Sequence, residues 1–356
     1  MERKNREIQY DYLRVIAVIA IIMVHSIPAE AANDKQWFFS AAFMPVLLSF
    51  VGIYFMLSGL FILDHGTENI LAFYINRFRT IVIPFGFYTG IYYFYYNIYL
   101  GQEKLTAVEH MRAWFLGWLT ETTPMAPHMW FMYVILALYL CAPFLSRMLR
   151  AMNDHELKIF LAMILIIQSL LVYLRPLGFL AEESFQYMIF KGWLIYFVLG
   201  YSLKRLYHNS RYLPFAAAGL AGFALTMFQK CFTPSFTPGI HDLAPTVTAI
   251  ASSIFLFFEF YGNVSIPLIT KACGFISRHS YSVYLIHYLV LGQLSAVIIE
   301  KTWIRHFYVP KILCLTALTL LISLVVAWLL DETVLKLLKR IMELIWKRGM
   351  TDKGEK

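Results

Sequence analysis

Apolar residues in this chain gather into long runs separated by short polar clusters. About 20 apolar residues cross a bilayer as a helix. Ten such segments are predicted: Tyr12 to Ile27, Met44 to Leu63, Ile81 to Leu100, Trp130 to Met148, Ile159 to Leu174, Met188 to Leu203, Leu213 to Phe228, Pro245 to Gly262, Val283 to Ile299 and Val309 to Leu330. Pro or Gly interrupts several of them, which a bundle tolerates when neighbours satisfy the freed backbone groups. The expected fold class is all-α, a polytopic membrane helix bundle of about ten transmembrane helices. No internal repeat of the kind that builds inverted-repeat transporters is visible. The expected organisation is one membrane domain over 1–335 and a basic amphipathic tail over 336–356. Around that tail Leu335, Leu338, Ile341, Met342, Ile345 and Trp346 recur at helical spacing suited to the inner leaflet. The long connection from Gly101 to Met129, polar and Trp-rich, is expected along the membrane surface.

Composition agrees with the pattern. Of 356 residues, 60% are hydrophobic and 15% charged, against about 45–50% and about 25% in soluble domains. The net charge of +8 is topological. Between the predicted spans, twenty Lys and Arg residues fall on one side and seven on the other. By the positive-inside rule both termini are cytoplasmic, in a multi-pass protein of the cell membrane. Nucleic-acid binding would need the basic residues gathered on one face, and they are not. Cys141, Cys231, Cys273 and Cys314 lie far apart without a CxxC pair, so neither a disulfide framework nor a metal site is expected. Phosphate-loop, HExxH and nucleophile-elbow motifs are missing too.

The first span carries ionisable groups where lipid is expected, which makes it a candidate site. Arg14 and His25 are eleven residues apart, about 20° from eclipsed on a helix and about 16 Å apart along it. Arg14 then sits at the cytoplasmic mouth and His25 deep inside, the layout of an anion clamp below a proton acceptor. A snorkelling anchor and a hydrogen-bonded core histidine are the plainer readings. The run Val15 to Val24 followed by Ala29-Glu30-Ala31 also fits a cleavable signal peptide. Arg14 and His25 are costly inside a disposable segment, so a retained helix is expected.

Tyr10-Asp11-Tyr12-Leu13-Arg14-Val15-Ile16-Ala17, ending at Val24-His25, resembles the first helix of the acyltransferase-3 family of membrane acyltransferases. Similar segments follow in order: Tyr54-Phe55-Met56-Leu57-Ser58-Gly59, Asn76-Arg77-Phe78-Arg79 leading to Ile83-Pro84-Phe85, His128-Met129-Trp130-Phe131, and Ser280-Tyr281-Ser282-Val283-Tyr284-Leu285-Ile286-His287. The resemblance implies transfer of an acyl group, often acetyl from acetyl-CoA, onto extracytoplasmic glycans. It implies His25 as the essential histidine, Arg14 as an important arginine, and a CoA role for Arg77 and Arg79. The family commonly has two arginines three apart, whereas Thr80 stands where the second would fall.

An acyl-CoA, as co-substrate rather than resident cofactor, is expected to dock its phosphates where Arg14, Arg77 and Arg79 converge. His25 would take the proton of an acceptor hydroxyl as the thioester is attacked. His287, placed near the inner end of its span, is a candidate for the CoA path. His128 and Trp130, at the outer start of the fourth span, are candidates for contacting a saccharide, although aromatic belts also place Trp there. The expected partners are acyl-CoA, a saccharide or lipid-linked glycan, and the bilayer. A non-catalytic exporter of a polysaccharide or lipid-linked sugar is the alternative.

Overall fold

The computed structural model describes residues 7–64, 69–101, 104–119, 126–174, 192–208, 211–233 and 243–344. Among them are eleven helices and no strand: α1 Ile8–Ser26, α2 Asp34–Leu63, α3 Ile70–Tyr99, α4 Ala107–Leu119, α5 Trp130–Ala151, α6 Asp154–Leu174, α7 Leu194–Tyr207, α8 Leu213–Phe232, α9 Pro245–Tyr261, α10 Pro267–Lys301 and α11 Tyr308–Leu344. Each of the ten predicted spans falls on a helix, the sixth from Leu194 onward, since Met188 to Lys191 lie outside the described residues. Among the described residues seven helices are long and apolar enough to cross a membrane, and α9 is a shorter apolar helix. The chain is a multi-pass membrane protein built as an all-α bundle.

The chain divides into two compact units, Met1–Thr67 with Cys141–Arg278 and Tyr308–Leu313, and Glu68–Leu140 with His279–Phe307 and Cys314–Lys356. In the first unit α1 and α7 lie against α2, and α8 lies against α9. Leu13, Ile22, Ile53, Phe55, Phe197 and Phe255 form its dry interior, so α1 is a packed part of the core. Gly59 on α2 meets the carbonyl of Phe197, and Gly200 on α7 meets the carbonyl of Met56. Small residues allow such backbone contact between membrane helices.

Polar contacts tie the helix ends of this unit together in two sets. At one end Lys204 Nζ lies 3.0 Å from Glu7, and Arg205 bonds Asp154 at 2.9 Å and the Met152 carbonyl at 2.7 Å. Glu259 also lies there, accepting from the Tyr10 hydroxyl at 2.5 Å and facing His208 Nδ1 at 3.1 Å. At the other end Gln168 accepts from the Gly192 amide at 3.0 Å and donates to the Leu243 carbonyl at 3.5 Å. Gly192, at φ +70°, turns the chain into α7 in the left-handed region that favours glycine. The ends gathered by Lys204 and Arg205 are those that loop charge assigns to one membrane face.

In the second unit α3 passes through two π-helical turns, Phe78–Val82 and Phe94–Tyr99. The Gly101 to Met129 connection holds α4, which folds back antiparallel along α3. The Tyr93 hydroxyl pairs with His110 Nδ1 at 3.1 Å, and Trp114 and Trp118 both donate to the Thr89 hydroxyl, at 3.2 and 3.1 Å. The surface-lying segment expected from composition is thus corrected to a helix packed on its neighbour. Two indoles four residues apart share one helix face, and that face is taken by a buried threonine. A capping box starts α4: the Thr106 amide donates to Glu109 at 2.7 Å, and the Glu109 amide donates to the Thr106 hydroxyl at 3.4 Å. Backbone and hydroxyl donation from Thr106 holds the Glu109 carboxyl below the usual carboxylate range.

The same unit contains the far end of the chain. α11 continues through a π turn at Asp331–Leu335 to Leu344, so the described start of the expected tail is helical; Ile345 and Trp346 lie outside the described residues. Asp331 accepts from Ser282 at 2.6 Å and lies 2.6 Å from His279 Nδ1. Both carboxylate oxygens are therefore engaged where the helix register changes.

Candidate functional site

α1 ends at Ser26 because Ile27 precedes Pro28 and is extended, at φ −80° and ψ 125°. His25 consequently lies in the last turn and Arg14 in the first half. Most neighbouring positions on α1 are buried, including Asp11, Leu13, Val15, Ala17, Val18 and Ile22, whereas Arg14 and His25 are both half-buried. Tyr12, Ile19, Met23 and Val24 are half-buried as well, and Ile16 is exposed.

The Arg14 side chain is oriented by Phe61 and Asp11, and its backbone carbonyl takes a third contact. Its guanidinium lies 4.7 Å over the Phe61 ring and 3.4 Å from Asp11 Oδ1, and the Tyr54 hydroxyl donates to its carbonyl at 3.3 Å. Asp11 is itself fixed by the Ser277 hydroxyl at 2.6 Å. The Arg14 side chain keeps 29% of its exposure, and a guanidinium is a planar donor suited to anions. Asp11 belongs to the motif that pointed to α1, yet its positioning role was not legible there. A carboxylate three residues before an arginine was the available signal.

Arg77 and Arg79 sit where α3 enters its first π turn, and they diverge. Residues two apart do not share a helix face. Arg77 lies between Phe73 and Tyr139, 5.1 and 5.4 Å from the ring centroids. Arg79 pairs with Glu343 on α11 and reaches Asn76 at 3.4 Å. Arg77 is a stacked cation whose plane is fixed, whereas Arg79 already has a carboxylate partner. The departure from the three-residue spacing therefore separates two groups expected to converge.

His128 and His287 come together in the second unit. Their ring centroids are 4.8 Å apart, and Tyr284 and Tyr288 pack on His128 at 5.4 and 5.2 Å. His287 lies twenty residues past Pro267 on a single helix, about 30 Å along it. Lys271, Arg278 and His279 break the apolar run and conceal where α10 begins. His287 Nδ1 lies 2.6 Å from the Tyr284 carbonyl. Since a carbonyl only accepts, Nδ1 carries the proton in the neutral ring and Nε2 has the lone pair. Trp130 is 40% exposed, while His128 is buried, so these adjacent candidates do not share a pocket.

Among the described residues no group of three or more His, Cys, Asp or Glu is placed to hold a metal ion. A bundle of long apolar helices defines the chain as a polytopic membrane protein, with Arg14 and His25 on its first helix. Residues 7–328 match the Acyl_transf_3 family, described as an acyltransferase domain, and the chain belongs to that acyltransferase-3 family. It is therefore a membrane acyltransferase. Comparison with curated proteins and with solved structures gives no match.

Proposed function

We propose that this acyltransferase moves an acetyl group from cytoplasmic acetyl-CoA to a hydroxyl of an extracytoplasmic or lipid-linked saccharide, in the cell membrane and with both termini in the cytoplasm. What supports this reading is that one helix, α1, carries both Arg14 and His25, neither of them fully buried. Arg14 and Arg77 bind CoA phosphates, one held against Phe61 and the other between Phe73 and Tyr139. Arg79 joins them when its pairing with Glu343 opens. His287, packed on His128, is assigned with it to the acceptor rather than to the CoA path. Trp130 is assigned to the outer rim.

The acceptor oxygen gives its proton to the His25 imidazole as it attacks the thioester carbonyl carbon. The tetrahedral intermediate collapses with cleavage of the carbon–sulfur bond. The CoA thiolate leaves and takes the proton back from the imidazolium, so ester and CoA thiol are the only products. Holding donor and acceptor together removes much of the entropic barrier. Acyltransferase membership sets aside the non-catalytic exporter.

Arg14→Gln tests the donor assignment. Loss of a charge-assisted hydrogen bond weakens binding by about 1.5–3 kcal/mol, so KM for acetyl-CoA should rise about ten- to a hundredfold with a smaller change in kcat. Labelled acetyl-CoA titrated against the purified protein in vesicles measures both. An unchanged KM would remove Arg14 from the donor site, and transfer from succinyl-CoA alone would reassign the acyl group.

A further inference from the structure

Two π-helical turns of the second unit, Phe78–Val82 on α3 and Asp331–Leu335 on α11, are held by consecutive residues of α10. The Tyr281 hydroxyl donates to the Ile81 carbonyl at 2.8 Å, and Ser282 donates to Asp331 at 2.6 Å. Such turns interrupt helix register and often mark functional positions. From Asp331 the helix runs twelve residues on to Glu343, about 18 Å. Leu338, on the way, lines the same apolar groove as Phe78 and Val82. Glu343 then pairs with Arg79, in the same α3 turn that Tyr281 holds. The end of α11 is thus a strap along α3 with a tie at each end, and the two ties differ. At Asp331 both carboxylate oxygens are engaged by the buried His279 and Ser282. At Glu343 the tie is open, with 33% of the Arg79 side chain and 47% of the Glu343 side chain exposed. Ion pairs that exposed are weak, whereas a guanidinium binds a phosphate through two parallel hydrogen bonds.

We propose that the end of α11 is autoinhibitory: the Glu343 carboxylate covers Arg79 and competes with the phosphates of acyl-CoA for it. The tie at Asp331 keeps the strap in place when the outer tie opens, so Glu343 stays beside Arg79 and sets the donor affinity. This inference rests on Arg79 as a donor-binding group, and adds to it the group that regulates it.

Equilibrium binding of CoA to the full chain in mild detergent tests this. Glu343→Gln should tighten CoA binding about two- to fivefold, the scale of a partly exposed ion pair. Arg79→Gln should weaken binding, and in that background Glu343→Gln should have no further effect, because the two groups act as a pair. Glu332→Gln is the charge control: it removes a carboxylate from the same helix, where Glu332 pairs with Lys336 at 2.9 Å, and should leave CoA binding unchanged. With Arg79→Gln weakened as expected, three results would overturn the autoinhibition and leave Arg79 in the donor site. These are no tightening by Glu343→Gln, the same tightening in the Arg79→Gln background, and the same tightening by Glu332→Gln. Undiminished CoA binding by Arg79→Gln would instead defeat the donor assignment of Arg79, and the autoinhibition with it.

Discussion

His25→Ala should lower kcat for acyl transfer by about a hundred- to ten-thousandfold, the range that a positioned general base supplies. His25 is half-buried in the last turn of α1, so removing the ring should be tolerated by the fold. Arg14 lies about three turns away along the helix, and its contacts with Phe61 and Asp11 do not involve His25. Acetyl-CoA binding should therefore survive while transfer is lost. Thermal stability, donor binding and turnover measured on one preparation separate these effects. Wild-type turnover with the alanine variant, or a loss of binding in proportion to turnover, would remove the imidazole from the chemistry.

The largest expected effect on folding belongs to the crossing of α2 and α7. A methyl group on Gly59 would fall on the Phe197 carbonyl oxygen, and one on Gly200 on the Met56 carbonyl oxygen, both well inside van der Waals contact. Those obstacles are helix backbone, which cannot swing aside as a side chain does. Overpacking a core costs about 1–3 kcal/mol and occasionally more, and Gly59→Ala and Gly200→Ala should each reach the upper part of that range. The expected readouts are a fall in Tm of several degrees and a loss of folded yield. The double variant should cost less than the sum, because helices parted by one methyl make room for the other, and neighbouring substitutions couple. Unchanged Tm in both single variants would show that the crossing is looser than its geometry.

Sequence periodicity was a good guide to what faces apolar surroundings and a poor one to what faces other parts of the protein. Where its residues are described, each of the ten apolar segments falls on a helix, because a run such as Val309 to Leu330 has few other ways to satisfy its backbone away from water. α10 instead begins sixteen residues before the apolar window at Val283, in a stretch where Lys271, Ser277 and Arg278 interrupt it. Ser277 there is buried against Asp11, and hydropathy does not record such pairing. α4 escaped for a related reason: its tryptophans bond Thr89 on α3, a partner far from the local pattern.

The site was legible in the same uneven way. Arg14 and His25 are about three turns apart on one helix, so eleven-residue spacing alone put them on a common face. The divergence of Arg77 and Arg79 follows from their two-residue spacing, but their destinations, Tyr139 and Glu343, come from distant segments. The meeting of His128 with His287 joins residues from α10 and the turn before α5, and only the folded chain brings them together. The network of His279, Ser282 and Asp331 was likewise divided between a late motif and the end of an apolar run.

Sidedness of transfer tests the central claim most directly. Sealed vesicles containing the protein in one orientation are loaded with labelled acetyl-CoA on the face of Arg14, and a soluble saccharide acceptor is supplied only on the opposite face. The account predicts label on the external acceptor, released CoA inside, and neither when His25 is alanine. Label appearing only when donor and acceptor share a compartment, or transfer that persists without the imidazole, would contradict it.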